Sequence, residues 1–222
     1  MLAIVLLFSS LNAQFYKVIT VPPGTKIIEK FPPSVRYLYP QFSEGKVFNM
    51  AGAENIFSLN YNLLTKEIEF LQGKDTLAIA KKRDIDMVVI KQDTFIYRGE
   101  YLKRIHGGKL VVLGRDAINL KEVVRNGAMG QPNRTSNVDA YSSIPYMTNL
   151  YLVNPDASME FRRELQFYIL TSKGEMVEIR KKTVLDLYPA NESEIQKYLK
   201  ANKVKFEERE DIIRFADFLS KL

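Results

Sequence analysis

His106 is the only histidine in a chain of 222 residues that contains no cysteine and no tryptophan. A histidine-dependent nucleophilic mechanism would have to run through it. It precedes Gly107-Gly108 in a predicted turn, and a lone histidine without convergent partners is most simply a solvated turn residue. Structural zinc sites are built from Cys/His sets, and catalytic ones usually place at least two histidines on the metal. No metal site and no cofactor is therefore expected. Gly107-Gly108-Lys109 lacks the upstream glycine and the following Ser/Thr of a phosphate loop, and it leads into a strand pattern rather than a helix. Gly127-Ala128-Met129-Gly130 is an isolated GxxG that reads as a turn, and no Gly-x-Ser-x-Gly elbow occurs.

Carboxylates are the more plentiful chemistry: Glu67, Glu69, Asp75, Asp84, Asp86, Asp93 and Glu100 fall in one region. Glu67 and Glu69 share a strand face, and paired carboxylates in a cleft are the equipment of a hydrolase acting on polymers. Alternation with Ile68 and Phe70 makes that face the solvated one, which is the simpler reading. Lys81-Lys82-Arg83 and Arg180-Lys181-Lys182 stand at predicted strand ends, where basic clusters solvate turns or touch anionic glycans and lipid headgroups. Twelve tyrosines could supply stacking faces for carbohydrate. Tyrosines at strand periodicity are mostly core or cross-strand partners.

The elements that must position these residues are mainly strands. Between Gly45 and Gly114, Phe57, Leu59, Tyr61 and Leu63 alternate with polar residues, the period of a half-buried strand. Apolar segments at 68–71, 77–80, 87–90, 95–97 and 110–113 follow, separated by polar turns at 72–75, 91–93 and 106–109. Strands about ten residues apart, with no room for crossover helices, predict antiparallel meander connectivity in a sheet, barrel or sandwich. A second hairpin is expected over 159–170 and 175–179, across Ser172-Lys173-Gly174. Asn191 with Glu194 forms a potential capping pair, and Ile195, Tyr198 and Leu199 lie on one face of the helix it would start. Ile212, Phe215, Ala216 and Leu219 mark a second helix from about Glu208, completing a helical hairpin. The expected fold is thus mainly β with C-terminal helices (α+β).

Other stretches are organised differently. Residues 14–44 are rich in proline and aromatics and read as an extended strap before a β body over 45–182 and a helical tail over 183–222. Within the body, 126–149 has little charge and no periodicity, so it is expected to be a long loop carrying recognition. Gly130, Asn133, Arg134 and Ser136 are its candidate contacts. Leu2 to Phe8 is an apolar run followed by Ser9-Ser10 and Leu11-Asn12-Ala13, the pattern of a secretory leader over residues 1–13. The run is too short for a bilayer span. Without cysteine there is neither a lipid-anchoring residue nor a disulfide. The net charge of +6 is spread along the chain. In an exported protein it suits an anionic envelope component or another protein better than nucleic acid.

Tyr39-Pro40-Gln41-Phe42, Gly45-Lys46-Val47, Leu59-Asn60-Tyr61-Asn62, residues 74–80, Gly127–Gly130 and the stretch from Lys181-Lys182 to Tyr188-Pro189 resemble small exported proteins found across the Bacteroidota. That family carries no assigned activity. The resemblance implies a location, periplasmic or extracellular, and supplies no catalytic residues. It also makes Asp75-Thr76-Leu77 similar to that group's O-glycosylation acceptor pattern. The expectation is a non-catalytic binding or structural module of the cell envelope or extracellular space. The alternatives are a carboxylate-dependent hydrolase and a protein-docking module that uses the C-terminal helices.

Overall fold

The computed structural model describes residues 18–126, 132–135 and 157–222. The proposed leader, Gly130 and Ser136 lie outside them. The described strands are β1 (Val18–Val21), β2 (Ser43–Asn49), β3 (Glu54–Asn62), β4 (Glu67–Gln72), β5 (Asp75–Ala78), β6 (Ile85–Ile90), β7 (Asp93–Tyr97), β8 (Tyr101–His106), β9 (Val111–Asn126), β10 (Pro132–Thr135), β11 (Ser158–Leu170) and β12 (Met176–Glu178). All pair antiparallel in one sheet of order β1-β11-β9-β8-β7-β6-β2-β3-β4-β5, with β10 on β9 and β12 on β11. Most neighbours are also neighbours in sequence, as the short polar turns require. The helices are α1 (Pro33–Arg36), α2 (Lys181–Leu187), α3 (Glu192–Asn202) and α4 (Arg209–Leu219).

The sheet is neither a closed barrel nor a sandwich of two sheets. It curls until the end of β3 approaches the middle of β9, where the Ile118 amide donates to the Leu63 carbonyl at 2.8 Å. The proline-rich stretch contributes to this turn of the sheet. Tyr37 bridges to Asn62, and the Leu38 amide donates to the Tyr61 carbonyl at 2.9 Å. At Tyr37 and Leu38 the stretch extends the sheet beside β3, while its Ile27 and Phe31 pack into the core.

Two large apolar clusters, and a small third of Ile96, Leu102 and Leu113, fill the structure. The first joins Leu59, Tyr61, Ile68, Phe95 and Tyr101 of the meander to Ile118 and Phe161, with Ile27 and Phe31 from the proline-rich stretch. The second joins Val112, Phe167 and Ile169 to Val184, Ile195, Ile212 and Phe215 of the helices. Ile212 and Phe215 are completely buried and Leu219 nearly so. The apolar stripe of α4 is thus spent on the sheet, which is the packing role for those side chains and not a free docking face.

Several local expectations are corrected. The Asn191 side chain makes no capping hydrogen bond, and a one-turn 3-10 helix, Pro189–Asn191, leads into α3 instead. Helix α2 is additional. Its start includes Lys181 and Lys182, so that basic cluster is not a strand end, and the Thr183 side chain accepts from the Arg180 amide at 3.1 Å to cap it. Within 126–149, residues 132–135 are a strand paired with 123–126, Arg134 standing opposite Val124 and Asn133 opposite Arg125.

Candidate functional site

The carboxylate pair does not lie on a solvated face. Glu69 is buried. Its Oε2 accepts from the Tyr37 hydroxyl at 2.6 Å, and its Oε1 accepts from Asn62 Nδ2 at 2.8 Å and Thr65 Oγ1 at 3.4 Å. Asn62 Oδ1 in turn accepts from the amides of Leu64 and Thr65, which shapes the β3–β4 turn. Tyr37, in edge contact with Phe42 at 5.0 Å, covers the polar side of β4, so the face expected to be solvated is buried at Glu69. Glu67 is ion-paired with Lys82, and burial holds its carboxyl above the usual range despite that partner.

His106 is likewise not a solvated turn residue. It ends β8, its Nδ1 lies 2.8 Å from the Leu110 carbonyl, and its Nε2 lies 3.0 Å from Asp217 Oδ1 on α4. It ties the helical hairpin to the sheet. Among the described residues no group of three or more His, Cys, Asp or Glu side chains is placed to hold a metal ion, and no helix is long and apolar enough to cross a membrane.

A different constellation appears where the two apolar clusters meet. Side chains alternate across a strand, so every second residue shares a face. In β11 the inward series is Met159, Phe161, Arg163, Leu165, Phe167 and Ile169, with Phe161 in the first cluster and Phe167 in the second. In β9 it is Val112, Gly114, Asp116 and Ile118; in β8 it is Tyr101, Lys103 and Ile105. Each series is interrupted at the same level, by Arg163, by Gly114 and Asp116, and by Lys103. The register confirms the alignment: Leu165 faces Asp116, and Gly114 stands between Phe167 and Lys103.

These interruptions surround a cavity of about 190 Å³, closed on its other sides by Leu38, Tyr61, Phe95 and Arg209. A single water needs roughly a tenth of that volume. Gly114 is needed at this level because a Cβ there would meet Ile105 Cδ1 and Cγ1, both at 2.9 Å. Arg163 grips Asp116 with two bonds, Nε to Oδ1 at 2.8 Å and Nη2 to Oδ2 at 2.6 Å. This fork geometry is the stronger kind of charged pair. Lys103 pairs with Asp93 at 3.1 Å, and Asp93 also accepts from the Tyr39 hydroxyl at 2.6 Å.

The tyrosines around this site carry phenols that ionise late. Burial raises Tyr61 and Tyr101, and for Tyr37 and Tyr39 burial is joined by hydrogen bonds to Glu69 and Asp93. A phenol with a raised folded-state value keeps its full stabilising contribution below the unfolded value of about 10. That contribution is lost as pH rises through the folded value. In an absorbance titration, Tyr37, Tyr39, Tyr61 and Tyr101 are expected to stay un-ionised at pH 11 and to titrate only as alkali unfolds the chain. Reversible ionisation of all twelve tyrosines near pH 10 in the folded state would contradict this burial.

Of the four loop candidates, Asn133 and Arg134 are placed on β10, beyond the level of the cavity along β9, and Gly130 and Ser136 lie outside the described residues. The cavity residues were missed, although one signal was present in the sequence. Arg163 occupies an inward position within an otherwise apolar period-two series. Comparison with family models, curated proteins and solved structures finds no match to this chain.

Proposed function

We propose that this chain is an exported, non-catalytic binding module that holds a small molecule in the cavity between its two apolar clusters. The carrying observation is the coincidence of polar interruptions on three adjacent strands around one partly open hollow. Folding alone would favour apolar residues at all those positions, since a charged group taken out of water is costly unless it is paired. Ligand sites are mostly apolar hollows with a few placed polar groups, and the mix of Tyr61, Phe95 and Leu38 with Lys103, Asp116 and Arg163 matches that description. Binding is favoured over hydrolysis because both oxygens of Asp116 accept from Arg163 and both oxygens of Glu69 accept from Tyr37, Asn62 and Thr65. The apolar run of residues 2–8 and the small residues after it support export, as does the resemblance to exported Bacteroidota proteins.

Leu165→Trp provides the test, because an indole at that position would occupy the cavity. A thermal-shift screen of small molecules should yield compounds that stabilise the wild-type chain and lose that effect in the filled variant. Overpacking costs about 1–3 kcal/mol, so the variant should still melt cooperatively. Compounds that stabilise both proteins equally would place binding elsewhere. For location, mass analysis of the native chain should find it beginning at Gln14 in a periplasmic or extracellular fraction; a cytosolic chain retaining residues 1–13 would remove export from the reading.

A further inference from the structure

The path of strands ends at β5, whose outer edge pairs with no strand among the described residues. All four residues of β5 are exposed. Register fixes which backbone groups that edge offers. Opposite residues of an antiparallel pair alternate between exchanging hydrogen bonds and turning their amides and carbonyls away from each other. The Ile79 amide donates to the Ile68 carbonyl at 3.1 Å, and that pair continues the register in which Leu77 stands opposite Phe70. Asp75 and Leu77 therefore bond to β4, and the amides and carbonyls of Thr76 and Ala78 point outward. A row of such groups is a template for another strand.

The side chains at this edge are equally unfinished. Phe57, Phe70 and Leu77 form one row across β3, β4 and β5, the two rings 5.1 Å apart and Phe70 directly opposite Leu77. The row continues the core face, since Phe70 also stands opposite the buried Leu59, yet it ends with Phe57 and Leu77 exposed. Ile56 and Leu71 are exposed on the reverse face. Apolar side chains exposed singly are ordinary, but four gathered on the last three strands mark a contact surface. A short strand is one protection against pairing. Proline, bulges and central charges are others, and β5 has none of them, its one charge being Asp75 at the first position.

We propose that β5 pairs with β5 of a second copy of this chain, antiparallel and centred on Leu77, joining two sheets edge to edge about a two-fold axis. A second copy fits because this pairing is self-complementary. Thr76 of one copy comes opposite Ala78 of the other, and the reverse, so every outward group of both strands is matched. Leu77 meets its own counterpart, and the apolar row runs unbroken from Phe57 of one chain to Phe57 of the other. The charges agree as well: Asp75 of each copy lies opposite Ile79 of the other, two residues from the exposed Lys81. The two-fold consumes the edge, so association stops at two. No residue lining the cavity lies on β4 or β5, so the pairing is independent of ligand binding.

Sedimentation velocity of the purified protein tests this. So small an interface predicts a dissociation constant on the order of 100 µM, with the dimer fraction rising from about 10 µM to about 1 mM. Thr76→Pro removes an outward amide and no bond to β4, so it should stay monomeric throughout that range while still melting cooperatively. Leu77→Lys, at an exposed position, puts like charges directly opposite across the axis and should weaken pairing at least about tenfold. The chain has no cysteine, so single cysteines report the register. A pair that exchanges no hydrogen bonds brings its Cα atoms to about 4.5 Å, within the reach of a disulfide. Leu77→Cys should therefore oxidise to a covalent dimer, whereas Asp75→Cys, about 14 Å from its counterpart, should not. If the proline variant folds poorly, the lysine and cysteine variants decide. A wild-type chain that stays monomeric at the highest concentration overturns the proposal and leaves the edge to a different protein. Dimers that survive Thr76→Pro, or Asp75→Cys chains that cross-link as readily as Leu77→Cys chains, overturn it by placing association on another surface.

Discussion

Glu69→Ala is expected to destabilise the protein by about 3–5 kcal/mol, roughly a fifth or more of the stability of an ordinary domain. The size follows from what the carboxylate holds. Tyr37, Asn62 and Thr65 all donate to it, and Glu69, Asn62 and Thr65 are buried. Alanine takes the acceptor from the Tyr37 hydroxyl and the Glu69 partner from the Asn62 amide in a buried place. Each stranded donor costs about 1–3 kcal/mol. The loss also spreads, because Asn62 organises the turn that brings β4 back along β3 and Tyr37 is the bridge by which the proline-rich stretch joins the sheet. Urea unfolding followed by far-ultraviolet circular dichroism measures the effect. Glu69→Gln should cost less, since its amide oxygen still accepts from one donor while its nitrogen confronts the other. A double-mutant cycle with Tyr37→Phe should show coupling of about 1 kcal/mol or more. A loss below 1 kcal/mol for the alanine variant would mean that this network is hydrated and that Glu69 is an ordinary surface residue.

Phe215→Ala should have a comparable effect for a different reason. Phe215 is fully buried, stacks on Tyr198 at 5.7 Å, meets Phe206 edge-on at 6.2 Å, and belongs to the cluster that joins α4 to β9 and β11. Truncating a buried phenylalanine costs about 3–5 kcal/mol through lost transfer energy and the hollow left behind. Because α4 also carries Arg209 and accepts the His106 contact through Asp217, the same substitution should loosen the far wall of the cavity. Faster amide exchange in α4 than in β2 or β6 would show that loosening. If Phe215→Ala left stability unchanged, α4 would not be fastened to the sheet, and its apolar stripe would again be available to another protein.

The two effects bear on how much could be read from residue order. Period-two alternation at Phe57–Leu63 and 3.6-residue spacing at Ile212–Leu219 pointed to strand and helix, as found, but in the strand burial does not follow the alternation, since Asn60 and Asn62 are buried and Phe57 is exposed. The Phe57–Leu63 alternation could not say what lies on the other side. Glu67 and Glu69 do face away from Ile68 and Phe70, yet Tyr37, some thirty residues earlier, covers Glu69, so a carboxylate that looked solvated is a buried hub. His106 shows the same limit, since its partner Asp217 lies 111 positions away.

The cavity makes the contrast sharpest. Lys103, Asp116, Arg163 and Arg209 come from three strands and a helix, and nothing in their spacing links them. What residue order by itself determined is the alphabet of local structure: antiparallel strands with short polar turns, two terminal amphipathic helices, and a chain that contains no cysteine. Tertiary structure alone decided that the sheet curls without closing, that its polar edge is roofed by tyrosine, and that four distant charges meet around one hollow. Periodicity reports the environment of a single element averaged along its length. A site arises where register and curl bring several elements to the same level, and register between distant strands is set by the packing of the whole.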